Sequence, residues 1–250
     1  MIDVRVGSPT NAEAVVLENV NWKMAVRDYW AIAGLQGSGK SDLMVTAAGL
    51  MRPLAGIFKV FGHELGVGFE HETMSTRLRI GLVFEGGRPL HQMTVAQNVA
   101  LPLRYHRNLT LEEAASQIEP LLQFTGLSDL ADRSPGGLRR NLQQRVGLAR
   151  ALVLRPDILL LDNPLSMFDS RESAWWVDVL DQLAAGHPVT GGRPITLAVT
   201  DDNFRPWRER ARQFATLREK KFIAIGGRSE LASSTDPLVH EMLRPELLAM

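Results

Sequence analysis

With 250 residues the chain has room for one large α/β domain or two small ones. Its 28 basic and 28 acidic side chains balance to a formal net charge of zero, which argues against a generic nucleic-acid binder, since such a protein is basic. The absence of cysteine excludes disulfides, thiolate zinc sites and cysteine nucleophiles. The six histidines (His63, His71, His91, His106, His187, His240) contain no i,i+4 pair, so no histidine-based metal site is expected. The start of the chain lacks a basic-then-apolar leader, and no apolar run approaches the roughly 20 residues that span a bilayer. The expectation is a soluble, cytoplasmic protein, any membrane role of which must come through a partner.

Taken in order, residues 1–14 are polar and contain Gly and Pro, which reads as a loose start or a first edge strand. Val15 to Trp22 is expected as a strand, and Trp22 to Asp28 as a second strand and turn. Tyr29 to Ala33 is a short, mostly apolar run, expected as a buried strand. A helix is expected over Leu43 to Met51, ended by Arg52-Pro53, because proline disfavours helix in the residue before it. Ile57 to Phe61 alternates weakly and reads as a strand closed by Gly62. Residues 63–78 are polar and give no clear pattern, and Ile80 to Phe84 is a buried strand. From Thr94 to Arg150 the period becomes helical. Val95, Val99, Leu101 and Leu103 form one apolar set; Ile118, Leu121, Leu122 and Phe124 form another, begun at Thr110 with Glu113 three residues on, a capping-box pattern. Val146 to Leu154 is a third helix. Ile158 to Leu161 is wholly apolar, as a parallel strand covered on both faces would be. Trp175 to Ala184 is an amphipathic helix, Gly186 to Pro194 a loop, Ile195 to Thr200 a buried strand, Phe222 to Ile225 a last strand. The tail from Asp236 to Met250 is helical in pattern.

Between the strand at Tyr29–Ala33 and the following helix stands Gly34-Leu35-Gln36-Gly37-Ser38-Gly39-Lys40-Ser41, which fits G-x-x-x-x-G-K-[ST]. Strand, glycine turn and helix N-terminus are the context that this phosphate-binding motif requires. The glycines let successive N–H groups point inward at a phosphate, and the helix dipole adds positive potential. The expected binding set is Gly34, Gln36, Gly37, Ser38, Gly39, Lys40, Ser41 and Asp42. Lys40 is expected to reach the outer phosphates and Ser41 to hold Mg²⁺. Asp162 ends the apolar strand Ile158–Leu161, and a carboxylate there is the usual second Mg²⁺ partner.

The chain resembles the nucleotide-binding subunits of ABC transporters. The resemblance runs through Gly39-Lys40-Ser41, Ala48 to Pro53, Ile80 to Glu85, Met93 to Leu103, Gln144 to Leu152, Pro156 to Pro164 and Ser234 to Val239, in family order and spacing. It implies an α/β fold of the P-loop NTPase, ABC type: a mostly parallel core from residues 1–90 and 150–250, with a helical subdomain inserted at 91–149. It also implies ATP and Mg²⁺ as cofactors, and a head-to-tail dimer with a second ATPase subunit, identical or different. Integral-membrane permease subunits would dock beside residues 85–103, placing the chain on the inner face of the membrane, with no role for nucleic acid. Within the family, Pro102-Leu103-Arg104, Leu109 to Glu113 and the Asp-Pro-Leu-Val tail are most similar to the Mla/Mce-type lipid transport ATPases. That implies lipid as cargo and a substrate-binding MCE-type protein as a further partner.

The departures fall on the chemistry. Where the family carries Leu-Ser-Gly-Gly-Gln, this chain has Leu138-Arg139-Arg140-Asn141-Leu142. The general-base glutamate after Asp162 is Asn163, the glutamine after the Ile80–Phe84 strand is Glu85, and the switch histidine after Thr200 is Asp201. The aromatic residue that stacks on adenine has no counterpart in residues 8–14. The expectation is retained ATP binding with weakened hydrolysis; the alternative is a non-hydrolysing structural or gating subunit. Glu85 is a candidate Mg²⁺ ligand, because that hard cation prefers oxygen, and a candidate displaced base. Arg139 and Arg140 are open to three roles: holding nucleotide phosphate, facing solvent, or pairing with Glu85 and Asp201 across a symmetric dimer.

Overall fold

The computed structural model describes residues 1–9, 11, 14–65, 71–166 and 168–244. Strands β1 (Ile2–Val6) and β2 (Leu17–Val20) pair antiparallel, with Val4 opposite Val20 and Val6 opposite Leu17, all four buried. Strand β3 (Tyr29–Gly34) is buried at every residue, the state of a strand covered on both faces. It turns through the phosphate loop into α1 (Lys40–Ala47). Strands β4 (Ala55–Ile57), β5 (Lys59–Val60) and β6 (His63–Glu64) are short, and helix α2 (His71–Arg77) follows. Next come β7 (Ile80–Val83), α3 (Val95–Arg107), α4 (Leu111–Phe124), α5 (Arg140–Leu152), β8 (Ile158–Leu161) and α6 (Ser170–Ala185). Strands β9 (Thr196–Asp201), β10 (Gln213–Arg218) and β11 (Lys221–Gly226) precede α7 (Arg228–Ala232) and α8 (Pro237–Leu243).

The chain divides into two compact units, residues 1–74 with 197–250, and residues 75–196. In the first, the strands are ordered β4-β1-β2-β11-β10-β3-β9. Parallel pairs are β11 beside β2 (Lys221 with Glu18), β10 beside β3 (Phe214 with Ala31, Ala215 with Ile32) and β3 beside β9 (Ile32 with Thr200, Ala33 with Asp201). Because β3 and β9 run parallel and in this register, the loops at their carboxyl ends emerge side by side. That is where ligands bind in open α/β sheets. Behind them, Phe204, Trp207 and Phe214 are fully buried, with Phe204 edge-on to Phe214 at 5.6 Å between centroids.

In the second unit β7 and β8 are parallel, from Ile80 beside Ile158 to Val83 beside Leu161. The helices pack through the apolar sets read from the sequence: Val95, Val99 and Leu103 on α3, Ile118, Leu121 and Leu122 on α4, all buried. Both α3 and α4 start with capping boxes. At Thr110 the hydroxyl accepts from Glu113 N (3.2 Å), and the Glu113 carboxylate accepts from Thr110 N (2.7 Å). A third unit of this packing is ionic. Arg145 on α5 makes two bonds of 2.9 Å to the Glu172 carboxylate on α6, and its guanidinium lies 3.6 Å from the Trp175 ring centroid.

Several expectations need correction. No strand forms over residues 22–28, which make a turn. Helix α1 ends before Arg52-Pro53: Gly49 N bonds Thr46 O and Leu50 N bonds Val45 O, a Schellman closure. The Ile57–Phe61 strand is split between β4 and β5. Helix α6 starts five residues earlier than Trp175, capped by Asp169, whose carboxylate accepts from Glu172 N at 2.8 Å. Strand β10 and helix α7 were not anticipated. The tail forms a helix over Pro237–Leu243, and the remainder expected to Met250 lies outside the described residues.

Candidate functional site

The first unit carries the phosphate loop. Residues Leu35, Gln36 and Gly37 are exposed, while Gly34, Gly39 and Lys40 are buried. The loop is built on left-handed backbone at Gly37 (φ 78°) and Gly39 (φ 94°). A Cβ at Gly39 would also lie 2.6 Å from Val16 Cγ1, so both conformation and space demand glycine there. Gly39 is the N-cap of α1, and no side chain caps that helix. Its first-turn N–H groups therefore face outward with the positive end of the dipole, the arrangement that suits an anion. Nothing lies within 4 Å of where a Cβ on Gly37 would sit, which leaves the cradle open on that side. Ser41 is exposed at the first turn and Asp42 half-buried beside it. These residues fit a phosphate group.

Lys40 has other company. Its Nζ donates to Gly34 O (2.5 Å), Leu35 O (3.2 Å) and Asp202 Oδ1 (2.7 Å). Asp201, the residue at the expected switch position, points the other way. Its Oδ2 accepts from Trp207 Nε1 at 2.7 Å, and its Oδ1 accepts from the N–H groups of Asp202 (2.6 Å) and Asn203 (3.4 Å). Burial pushes its pKa up from the ordinary carboxylate value to about 6, against the lowering by these three donors. Asp201 is 6% exposed and its carboxylate is engaged within the fold, which speaks against it as the trans partner of Arg139 or Arg140, one of the three roles open to those arginines.

In the second unit Asp162 is 2% exposed at the end of β8, and its N–H bonds Val83 O at 2.8 Å. Asn163 has φ 49°. Asparagine tolerates left-handed backbone better than glutamate does, a local reason for Asn at this position. Glu85 is half-buried and pairs with Arg140 in the same chain, Oε1 to Nη2 3.3 Å, so this arginine has its acidic partner in cis. Arg139 is the N-cap of α5 and makes no side-chain cap. Two guanidinium groups at an uncapped N-terminus give an electropositive helix end. The backbone after Glu85 crosses α5 at two glycines: a Cβ on Gly147 would stand 2.6 Å from Gly87 Cα. Arg150 Nη2 seals the crossing on Gly87 O (2.8 Å) and Arg88 O (3.1 Å), and Asn98 holds the far end through Leu90 N (2.7 Å) and Leu90 O (2.9 Å). Asp202, Trp207, Asn98 and Arg150 were not picked out from the sequence. For Asp202 a signal existed, since it adjoins Asp201; the Arg150 bonds join residues far apart in sequence, whereas the Trp207 and Asn98 bonds are local but follow no motif.

A parallel strand that delivers a glycine turn, a buried lysine and an uncapped helix N-terminus defines a nucleotide-binding α/β protein of the P-loop kind. A family model described as "ABC transporter" matches residues 17–166, and the chain belongs to that family. Among curated relatives, "Methionine import ATP-binding protein MetN 2" of Salmonella paratyphi A is 36% identical over 184 residues, 74% of this chain and 53% of that protein. "Methionine import ATP-binding protein MetN" of Cupriavidus metallidurans is 36% identical over 173 residues, 69% of this chain and 50% of that protein. The chain thus spans about half the length of these relatives. Among solved structures, the "Dimeric structure of a post-hydrolysis state of the ATP-binding cassette MJ0796 bound to ADP and Pi" superposes with a TM-score of 0.77 at 25% identity, covering 88% of this chain and 94% of that one. The structure of cbiO1 from Clostridium perfringens matches in fold, with a TM-score of 0.76 at 20% identity over 93% of this chain and 89% of that one. Both relatives carry a methionine-import name, so the expected lipid cargo and MCE-type partner receive no support.

Proposed function

We propose that this chain is the ATP-binding subunit of an ABC transporter that keeps nucleotide binding and has weakened hydrolysis. The observation that carries the binding half is the phosphate loop after β3: left-handed Gly37 and Gly39, buried Lys40 and an uncapped α1. Mg²⁺, when bound, would neutralise phosphate charge. Ser41 and Asp162 are its proposed ligands on their motif positions, and Glu85 is a third oxygen donor. The weakened half rests on three replacements. Asn163 cannot take a proton at neutral pH, Asp201 is turned into the fold toward Trp207, and Arg139-Arg140 replaces a neutral signature. Loss of a general base alone lowers a rate by about 10²–10⁴. Arg139 and Arg140 at the electropositive end of α5 are proposed to meet nucleotide phosphate in a subunit dimer.

The partner is proposed to be a membrane permease docked beside residues 85–103 of the chain. Among the described residues no helix is long and apolar enough to cross a membrane, which suits a peripheral subunit. The names of the relatives make uptake of an amino acid such as methionine the proposed transport. A non-hydrolysing gating subunit is the second reading, favoured by the inward turn of Asp201. The test is nucleotide binding and turnover by the purified chain and by its complex with the permease. Lys40→Ala abolishes Mg-ATP binding if the site is assigned correctly; unchanged affinity in that variant refutes it. Slow but measurable turnover in the complex supports the first reading, none supports the second, and fast turnover overturns the weakened-hydrolysis half.

A further inference from the structure

A carboxylate stands against the phosphate loop that the expected catalytic positions do not include. Asp202 Oδ1 accepts from Lys40 Nζ at 2.7 Å. Its place is set by its neighbours. Asp202 N–H donates to Asp201 Oδ1 at 2.6 Å, and Asp201 Oδ2 accepts from the fully buried Trp207 at 2.7 Å. The parallel register of β3 and β9, with Ala33 beside Asp201, brings this turn next to the loop. The backbone is held, while the Asp202 side chain is 61% exposed and open to water. The other candidates for taking a proton are poorly suited. Asn163 is an amide, Asp201 has both oxygens engaged inside the fold, and Glu85 accepts from Arg140.

We propose that Asp202 is a catalytic residue, the general base of the slow hydrolysis, one position past the expected switch residue. The proposal rests on the nucleotide-binding reading above. An ammonium has three donors, and on Lys40 they meet Gly34 O, Leu35 O and the Asp202 carboxylate. A nucleotide whose outer phosphates take up Lys40 must displace one of these acceptors. The two carbonyls belong to the loop itself, so the mobile side chain of Asp202 is the one released. Binding thus frees a solvent-exposed carboxylate on a fixed turn beside the phosphate loop. In the step it catalyses, a water oxygen bonds to the terminal phosphorus and the water gives a proton to Asp202. The bridging P–O bond breaks, and its electron pair leaves on the diphosphate. Asp202 then passes the proton to solvent. Trp207 and Asp201 act as positioning residues for the turn.

The experiment is single-turnover hydrolysis at saturating Mg-ATP, with Mg-ATP affinity read separately by calorimetry. It uses the full chain and its complex with the permease, as wild type, Asp202→Asn, Asp202→Glu and Asp202→Ala. Asp202→Asn is expected to hydrolyse about a hundredfold more slowly, the low end of what a general base contributes. Its affinity for Mg-ATP should be at least that of the wild type, because the anion competing for Lys40 is gone. Asp202→Glu keeps the carboxylate and stays within about tenfold of the wild-type rate. Added formate, a free carboxylate, should speed Asp202→Ala and leave the wild type unchanged. A rate in Asp202→Asn within about threefold of the wild type, or a loss that only follows weaker binding, overturns the proposal and leaves nucleotide binding intact. A wild type that binds Mg-ATP and never hydrolyses it overturns the proposal in favour of the gating reading. If the folded wild type binds no nucleotide, the binding reading falls and this proposal falls with it.

Discussion

Trp207 holds Asp201 inside the fold, indole Nε1 to carboxylate Oδ2 at 2.7 Å, with the indole itself fully buried. A carboxylate in that setting gains three donors and loses its water. Desolvation wins, and its pKa is raised to about 6. In the unfolded chain the same group titrates near the ordinary aspartate value of about 3.9.

The linkage follows in sign. Between about pH 4 and about pH 6 the folded state binds the proton and the unfolded state does not, so stability falls as pH rises through that window. The contribution is fully present below about pH 4 and gone above about pH 6. A shift of about two units corresponds to about 3 kcal/mol. Urea unfolding of the wild type and Asp201→Asn at pH 4.5 and pH 7.5 isolates this group. The wild type should gain on the variant by about 2–3 kcal/mol at the lower pH. A constant difference across the two pH values contradicts the assignment.

Asn163 is expected to resist repair in a specific way. Its φ of 49° is left-handed, and a glutamate there carries a penalty of about 1 kcal/mol. Asn163→Glu should therefore lower stability by about 1 kcal/mol in urea unfolding while raising single-turnover ATP hydrolysis. Equal stability of the two proteins counts against the strain argument. An unchanged rate shows that the base is not the missing part.

The phosphate loop was legible because its chemistry is local: glycines where the backbone turns left-handed, then lysine at the first turn of a helix. The helix at Thr110 was legible for the same reason, since the two halves of its capping box lie three residues apart. The direction of Asp201 was not. It is decided by Trp207, six residues on, and by a core that the sequence does not display. Strand β10, Gln213–Arg218, mixes Gln, Thr and Arg with Phe, Ala and Leu, so neither alternation nor an apolar run marks it, though four of its residues are buried. The start of α5 at Arg140 was set six residues too late, at Val146, because Arg139 is no N-cap by type and makes none in the structure. Cargo is not written in local pattern: tail and insert residues point to lipid transport, whereas a relative matched over 74% of the chain is named as a methionine import protein.

The Arg145–Glu172 pair is the ionic lock between α5 and α6. Its side chains are 14% and 13% exposed, and Asn141 Nδ2 adds a bond of 3.0 Å to the same carboxylate. Removing one partner strands a desolvated charge, so Glu172→Ala should cost about 3–5 kcal/mol. Replacing both, as Arg145→Met with Glu172→Leu, should recover much of that loss, because the pair itself offsets its own desolvation. Chemical unfolding of the two variants and the wild type checks both statements. A double variant as unstable as the single one would show that the pair contributes more than its charges.

Glu85 and Arg140 form a different kind of pair. At 3.3 Å, with side chains 36% and 53% exposed, they are solvated and screened, and such pairs contribute about 0–1 kcal/mol. Arg140→Ala should therefore change stability by less than about 1 kcal/mol. The consequence for chemistry is larger. The Glu85 carboxylate already accepts from the Arg140 guanidinium and is less free to orient an attacking water. On that ground Glu85 is not expected to replace the missing base. Glu85→Gln should leave the slow turnover of the wild type within about threefold, whereas loss of a general base lowers a rate by about 10²–10⁴. Single-turnover hydrolysis at saturating Mg-ATP distinguishes the two. A fall of about a hundredfold or more in Glu85→Gln would make Glu85 the base of a rebuilt centre, and Arg140→Ala, by freeing it, would then raise the rate.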